Sequence, residues 1–151
     1  MNKEEVKVPR QPSFVKYCTG LSYLFDPRET RFLLHMIDID YMKSKGFLTD
    51  WSRSEYMKRM GLNKNAFNYC VKRMQEMKLL IKWNNSLGNK VFYALNRENY
   101  ERLIRILSCT NNIDALISFC QNTFQSGRSI ESITEEEIQK LESTRMRLPK
   151  M

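Results

Sequence analysis

The sequence has no long hydrophobic run. No stretch of its 151 residues approaches the ~20 consecutive apolar residues that a membrane-spanning helix needs. The first residues, MNKEEVKVPRQPSF, also lack the apolar segment of a secretory signal. These absences predict a cytoplasmic protein without a membrane partner.

Groups that usually carry metal or catalytic chemistry are scarce. The chain has one histidine, His35, and four widely spaced cysteines with no CxxC pair: Cys18, Cys70, Cys109 and Cys120. A zinc site needs clustered ligands, so neither a metal site nor a cofactor is expected. Asp38 and Asp40 lie two residues apart in a helical segment, so they do not share a face. With no glycine-rich phosphate loop and no Ser/His/Asp set, we expect a protein that is not an enzyme.

Positive charge is concentrated in one part of the chain. The net charge is +8, and residues 43–90 hold eleven Lys and Arg against three acids, so this segment accounts for the whole excess. Localised positive charge attracts polyanions, because phosphates that bind lysine or arginine release their condensed counterions. The distribution favours a nucleic-acid partner.

The first third of the chain predicts an arm, a long helix and a short strand. Residues 1–13 are polar with two prolines and predict a flexible arm. Asp26-Pro27 is a typical helix start, and apolar residues then recur at helical spacing until near Gly46. FLTDW, residues 47–51, predicts a strand.

The middle of the chain predicts a helix-turn-helix. Ser52 and Glu55 form a capping-box pattern that opens a helix through about Met60. Gly61 suits the left-handed position that ends a helix, and Asn63 can cap a second helix over 64–78. The expected buried stripe of that second helix is Phe67, Cys70, Val71, Met74 and Met77.

Two β-rich runs follow, at 79–83 and 90–96, joined by the turn-forming sequence NNSLGN. Helix, strand, helix, turn, helix and hairpin is the order of a winged helix. The expected fold class is therefore mainly α with a small β-wing: a winged helix-turn-helix domain over residues 14–96, followed by C-terminal helices.

Residues 52–96 resemble the winged helix-turn-helix superfamily of bacterial DNA-binding proteins. The resemblance depends on Tyr56, Met57, Met60, Gly61, Leu62, Phe67, Val71 and the run MQEMKLLIKW that leads into the hairpin. From residue 14 onward, FVK, DPRET and FLTDWSRSEYMKRMGLN are similar to the N-terminal domain of plasmid and phage replication-initiation proteins. The resemblance implies binding to double-stranded DNA.

Residues 97–151 predict a helical extension. Helices are expected over 97–108, 112–125 and about 132–142, with more apolar side chains than two peripheral helices need. They can pack against the first helix, or they can mediate a homodimer, which would match the two-fold symmetry of many DNA sites. The sequence leaves both possibilities open.

The candidate DNA-binding residues fall in three groups. The outward side of the second helix of the motif would enter the major groove, with asparagine and lysine near base edges and the later bases near phosphates. The start of the preceding helix can bind a phosphate, and the hairpin can contact the DNA backbone. The residues are Lys64, Asn65, Asn68, Tyr69, Lys72 and Arg73; Ser52 and Arg53; and Lys82, Asn85 and Lys90.

The functional hypothesis is sequence-specific binding to double-stranded DNA by a cytoplasmic, nucleoid-associated protein of a bacterial type. It would act as a transcriptional regulator, or as a replication or partition component of a mobile element. The alternative is a winged helix that binds another protein and no DNA, but such a module would have a neutral or acidic recognition face. A third class, a ligand-sensing regulator, requires a pocket.

Overall fold

The computed structural model describes residues 15–85, 87–88 and 90–147. Within these ranges the protein is mainly helical, with six α-helices and one antiparallel hairpin, which confirms the predicted fold class. The helices are α1 (Pro27–Ser44), α2 (Arg53–Met60), α3 (Lys64–Glu76), α4 (Arg97–Ser108), α5 (Ile113–Asn122) and α6 (Glu135–Glu142). The strands are β1 (Leu80–Asn84) and β2 (Val91–Leu95), and short 3-10 helices span Thr19–Tyr23 and Ile130–Ser132. The predicted arm at 1–13 lies outside the described residues.

Helix α1 begins as its sequence predicts. The Asp26 carboxylate accepts a hydrogen bond from the Glu29 amide at 2.8 Å, and the Glu29 carboxylate accepts one from the Asp26 amide at 3.0 Å. This reciprocal capping satisfies amides that have no partner within the helix, and Pro27 occupies the first turn, where it loses no hydrogen bond.

The predicted strand at 47–51 is wrong. Phe47 alone takes part in a β-bridge, and residues 48–52 have no regular structure. Local contacts use the backbone groups that a strand would need: the Thr49 carbonyl accepts from the Trp51 amide and from the Tyr56 hydroxyl, both at 2.9 Å. A segment anchored in this way does not continue the pairing beyond Phe47.

The helix-turn-helix forms as expected. Ser52 caps α2 through its hydroxyl, but only half of the predicted capping box is present, because the Glu55 carboxylate instead pairs with Arg59 at 2.9 Å. Gly61 ends α2 with φ +65°, a left-handed conformation that favours glycine, and Leu62 is buried behind it. Asn63 then caps α3 by accepting a hydrogen bond from the Ala66 amide.

The hairpin follows α3 after one left-handed residue, Lys78, with φ +65°. Strands β1 and β2 pair in antiparallel register, with Leu80 opposite Leu95 and Trp83 opposite Phe92. Side chains alternate between the two faces, so Leu80, Tyr93 and Leu95 enter the core.

The C-terminal helices pack within the same chain. Leu103, Ile106, Leu116 and Phe124 belong to the same buried cluster as the stripe of α3. Helices α4 and α5 pack against the first 3-10 helix. Ile113, the first residue of α5, is 51% exposed. The C-terminal helices therefore pack within the chain, but mainly against the first 3-10 helix rather than against α1 as the sequence suggested, whereas a homodimer stays a prediction.

Within the described residues, no helix combines the length and apolar character required to cross a membrane.

Candidate nucleic-acid interface

The exposed side of α3 carries five of the predicted DNA-binding residues. Lys64, Asn65, Asn68, Tyr69 and Lys72 are all solvent-exposed, whereas the expected stripe of Phe67, Cys70, Val71, Met74 and Met77 is buried. At 3.6 residues per turn, the five exposed positions span an arc of roughly 140° on one side of the helix. We call these five residues the α3 face.

No acidic residue occurs between Glu55 and Glu76, so the turn before α3 and the helix as far as Gln75 carry no negative side chain. The exposed Glu76, by contrast, lies on the same side of α3, one turn beyond Lys72. Within the described part of the chain, Lys64 and Lys72 form no hydrogen bond or ion pair. An exposed ammonium group that contacts no carboxylate is available to bind an anion. This arrangement is suited to binding phosphate.

Two arginines extend this face beyond α3. Arg53, at the start of α2, donates a hydrogen bond to the Asn68 side-chain oxygen, and its guanidinium lies 5.9 Å from the centre of the Phe67 ring. Arg28 of α1, which lies outside the helix-turn-helix and which no sequence pattern marks as a candidate, lies 5.0 Å over the Tyr69 ring. Arg53 thereby fixes the orientation of the Asn68 amide, and Arg28 adds a cation beside Tyr69.

Arg73 does not belong to the α3 face, contrary to the sequence prediction. Its Nε lies 3.2 Å from the Glu29 carboxylate of α1, and its Nη1 donates to the Phe124 carbonyl at 3.2 Å. The Arg73 side chain is 17% exposed and that of Glu29 is 6% exposed. The reason is geometric: Arg73 lies ~40° further around α3 than Tyr69, on the border of the buried side. A helical wheel of α3 contains this signal, but the partner Glu29 does not follow from the sequence.

A cleft of about 630 Å³ borders the α3 face on the Arg73 side. Its lining combines Tyr69, Lys72 and Arg73 with the acids Asp26, Glu29 and Glu76. The nearby Glu29 charge, together with partial burial and Asp26, raises the pKa of the Tyr69 hydroxyl. Because the three acids would repel a phosphate, they mark the limit of the basic surface on this side.

The start of α2 and the hairpin hold the other predicted residues. Ser52 is exposed and uses its hydroxyl to cap α2. Lys82 is exposed on β1. Asn85 closes the hairpin turn, since its amide donates to the Lys90 carbonyl at 3.0 Å and its side-chain oxygen accepts from the Lys90 amide at 3.4 Å. The Lys90 ammonium donates to the Asp50 carbonyl at 3.2 Å. Asn85 is thus a structural residue of the turn, while Lys82 and Lys90 keep charges that no carboxylate neutralises among the described residues.

His35 is half-buried on α1, where burial lowers the pKa of its imidazole. Across the described ranges, no group of three or more His, Cys, Asp or Glu side chains is arranged to hold a metal ion. Burial raises the pKa of the Cys70 and Cys120 thiols to about 11, so both are inert core groups.

No protein-family model, no curated protein and no solved structure matches this chain.

Proposed function

We propose that this protein binds double-stranded DNA in a sequence-specific manner through the α3 face, and that it acts by binding rather than by catalysis. The main support is the combination of residue types on that face. Exposed lysines lie beside asparagines and a tyrosine, on a helix that follows a tight turn with a left-handed glycine. Asparagine pairs with adenine through two hydrogen bonds, and lysine donates to guanine acceptors or to phosphates.

In this proposal α3 lies in the major groove with Lys64, Asn65 and Asn68 near base edges. Lys72 and Arg53 contact phosphates on either side, and Lys82 and Lys90 of the hairpin contact the backbone beyond. The biological role would be transcriptional regulation, or replication or partition of a mobile element, in a cytoplasmic, nucleoid-associated protein of winged helix type. A homodimer is compatible with this role.

The first test measures affinity for duplex DNA as a function of salt. Anisotropy of a labelled duplex, chosen by selection from a random pool, would be recorded across a range of salt concentrations. The logarithm of the binding constant should fall linearly with the logarithm of salt, with a slope of about −0.9 per phosphate contacted. A flat salt response, or no binding at low salt, would contradict the proposal.

The second test separates base recognition from charge. Lys72→Gln should weaken binding to every duplex alike and reduce the magnitude of the salt slope by about 1. Asn65→Ala should cost about 1–3 kcal/mol on the selected duplex and much less on a scrambled one. Lys140→Gln on α6 is the matched control, because it removes an exposed lysine from an acidic helix. If the Lys72 and Lys140 variants bind alike, α3 does not contact DNA.

A further inference from the structure

One face of the hairpin is apolar and points to solvent. Lys82 and Asn84 alternate with Ile81 and Trp83 along β1, and the cross-strand partners of Ile81 and Trp83 are Ala94 and Phe92. We call Ile81, Trp83, Phe92 and Ala94 the outer hairpin face. Ile81 is 47% exposed and Trp83 is 44% exposed, so this face is not covered by the core.

The aromatic pair at the centre of this face is ordered by stacking. The rings of Trp83 and Phe92 have centres 5.4 Å apart and planes inclined by 14°. Cross-strand stacking fixes both rings without burying them. The result is a preformed flat surface, which a ligand can contact without first ordering the side chains.

The hairpin segment that carries the pair is positively charged. Residues 77–97 contain Lys78, Lys82, Lys90 and Arg97 and no acid. Arg97 pairs with Asp40 at 2.8 Å, but the three lysines form no ion pair with any carboxylate in the described part of the chain. The Lys90 ammonium lies 5.1 Å from the centre of the Phe92 ring, so one of these charges adjoins the aromatic pair directly.

An exposed aromatic pair on a lysine-rich hairpin favours some kinds of partner over others. A second copy of the chain would bring the same lysines against each other, and an apolar protein segment would leave them without counterions. An unpaired stretch of DNA supplies both complements, because its bases stack on aromatic rings and its phosphates attract lysines. Duplex DNA does not offer its base faces in this way.

We propose that the outer hairpin face binds an unpaired DNA segment next to the duplex held by α3. A base stacks on Trp83, and Lys90, whose ammonium lies beside the Phe92 ring, contacts a phosphate of that strand. The inference rests on the proposed duplex binding by α3 and adds the kind of DNA junction that the protein recognises: a duplex with a melted or single-stranded flank.

The test compares two probes that share one duplex, one blunt and one with a thymidine overhang of about ten nucleotides, within the usual range for such grooves. The parent should bind the overhang probe roughly 5- to 150-fold more tightly, the range expected for stacking of one base. Trp83→Leu should abolish this preference and leave affinity for the blunt duplex unchanged, and Trp83→Phe should retain most of it. Tyr41→Leu, at an aromatic residue of α1 that is 61% exposed, should behave as the parent.

A second readout does not depend on how Trp83 variants fold. The chain has two tryptophans, so Trp51→Phe leaves Trp83 as the only indole. Oligothymidine should quench the fluorescence of this variant by stacking on the Trp83 ring. An unquenched indole would contradict the inference.

The outcomes separate this inference from the proposed function. If the parent binds both probes equally, or if Trp83→Leu weakens both equally, the inference is wrong and duplex binding stands. If the parent binds neither probe, duplex binding itself is wrong. A concentration-dependent dimer that Trp83→Leu abolishes would identify a second copy as the occupant and overturn the inference.

Discussion

Replacing Arg73 and its neighbour Lys72 tests how the structure divides α3 between packing and binding. Arg73 joins α3 to the buried Glu29 carboxylate of α1 and to the Phe124 carbonyl beyond α5, whereas Lys72 is exposed. Arg73→Gln leaves the Glu29 carboxylate buried without its cation. Lys72→Gln also removes a positive charge, but from a side chain that is exposed to solvent. The two variants should therefore differ in stability although the positions are adjacent.

The magnitude follows from burial. Removing one partner of a buried ion pair costs about 3–5 kcal/mol, and we expect about 3 kcal/mol for Arg73→Gln because its side chain retains 17% exposure. For a chain of this size, the midpoint of thermal unfolding should fall by roughly 6–12 °C. Lys72→Gln should change the free energy of unfolding by less than about 0.5 kcal/mol.

The assay is urea and thermal unfolding followed by circular dichroism, with Glu29→Gln and the double variant completing a mutant cycle. The double variant should be more stable than the sum of the single effects predicts, by about 0.5–3 kcal/mol. Below its unfolding midpoint, Arg73→Gln should keep the parent's salt slope for DNA, because we expect a guanidinium that is engaged with Glu29 and the Phe124 carbonyl to make no phosphate contact. An Arg73→Gln protein as stable as the parent, with no coupling to Glu29, would refute this reasoning.

Two further predictions concern the loss of stability at acid pH through Glu137 of α6 and the glycine turn between α2 and α3. The hydrogen bond from Arg128 lowers the pKa of Glu137 to about 2 from an ordinary 4.5; partial burial opposes this shift and hydrogen bonds with Thr134 add to it. The stability that the ionised Glu137 contributes is therefore fully present above pH 4.5 and is lost as the pH falls towards 2. Unfolding measured from pH 6 down should therefore show parent and Glu137→Gln converging below pH 4.5, and a constant difference between them would contradict the assignment. Gly61→Ala should cost about 1 kcal/mol or slightly more, because alanine resists the left-handed conformation. Since an added Cβ would meet only the Arg31 side chain, at 3.6 Å, that cost would be conformational, and Ser54→Ala in α2 is the control that should show none of it.

The sequence alone determined the order of the helices and the hairpin, for local reasons. Asp26, Ser52 and Asn63 cap helices through amides three residues away, and Gly61 ends α2 because glycine, which has no Cβ, adopts a positive φ at little cost. The buried apolar stripe of α3 was also predictable from the sequence, since helical spacing places its apolar residues on one side. Such features involve neighbours in the chain, so no knowledge of distant contacts is required.

Tertiary structure decided which charged and aromatic side chains are exposed and available to a partner. A helical wheel places Arg73 at the border of the buried side of α3 and Lys72 within the exposed side, but only packing brings Glu29, 44 residues away, next to Arg73. Thr49 does not lie in a strand, and its carbonyl accepts a hydrogen bond from the Tyr56 hydroxyl instead. Trp83 is exposed because the opposite face of the hairpin packs against the core. Short-range patterns fix where elements begin and end, whereas long-range contacts fix which charges and rings remain available to a partner.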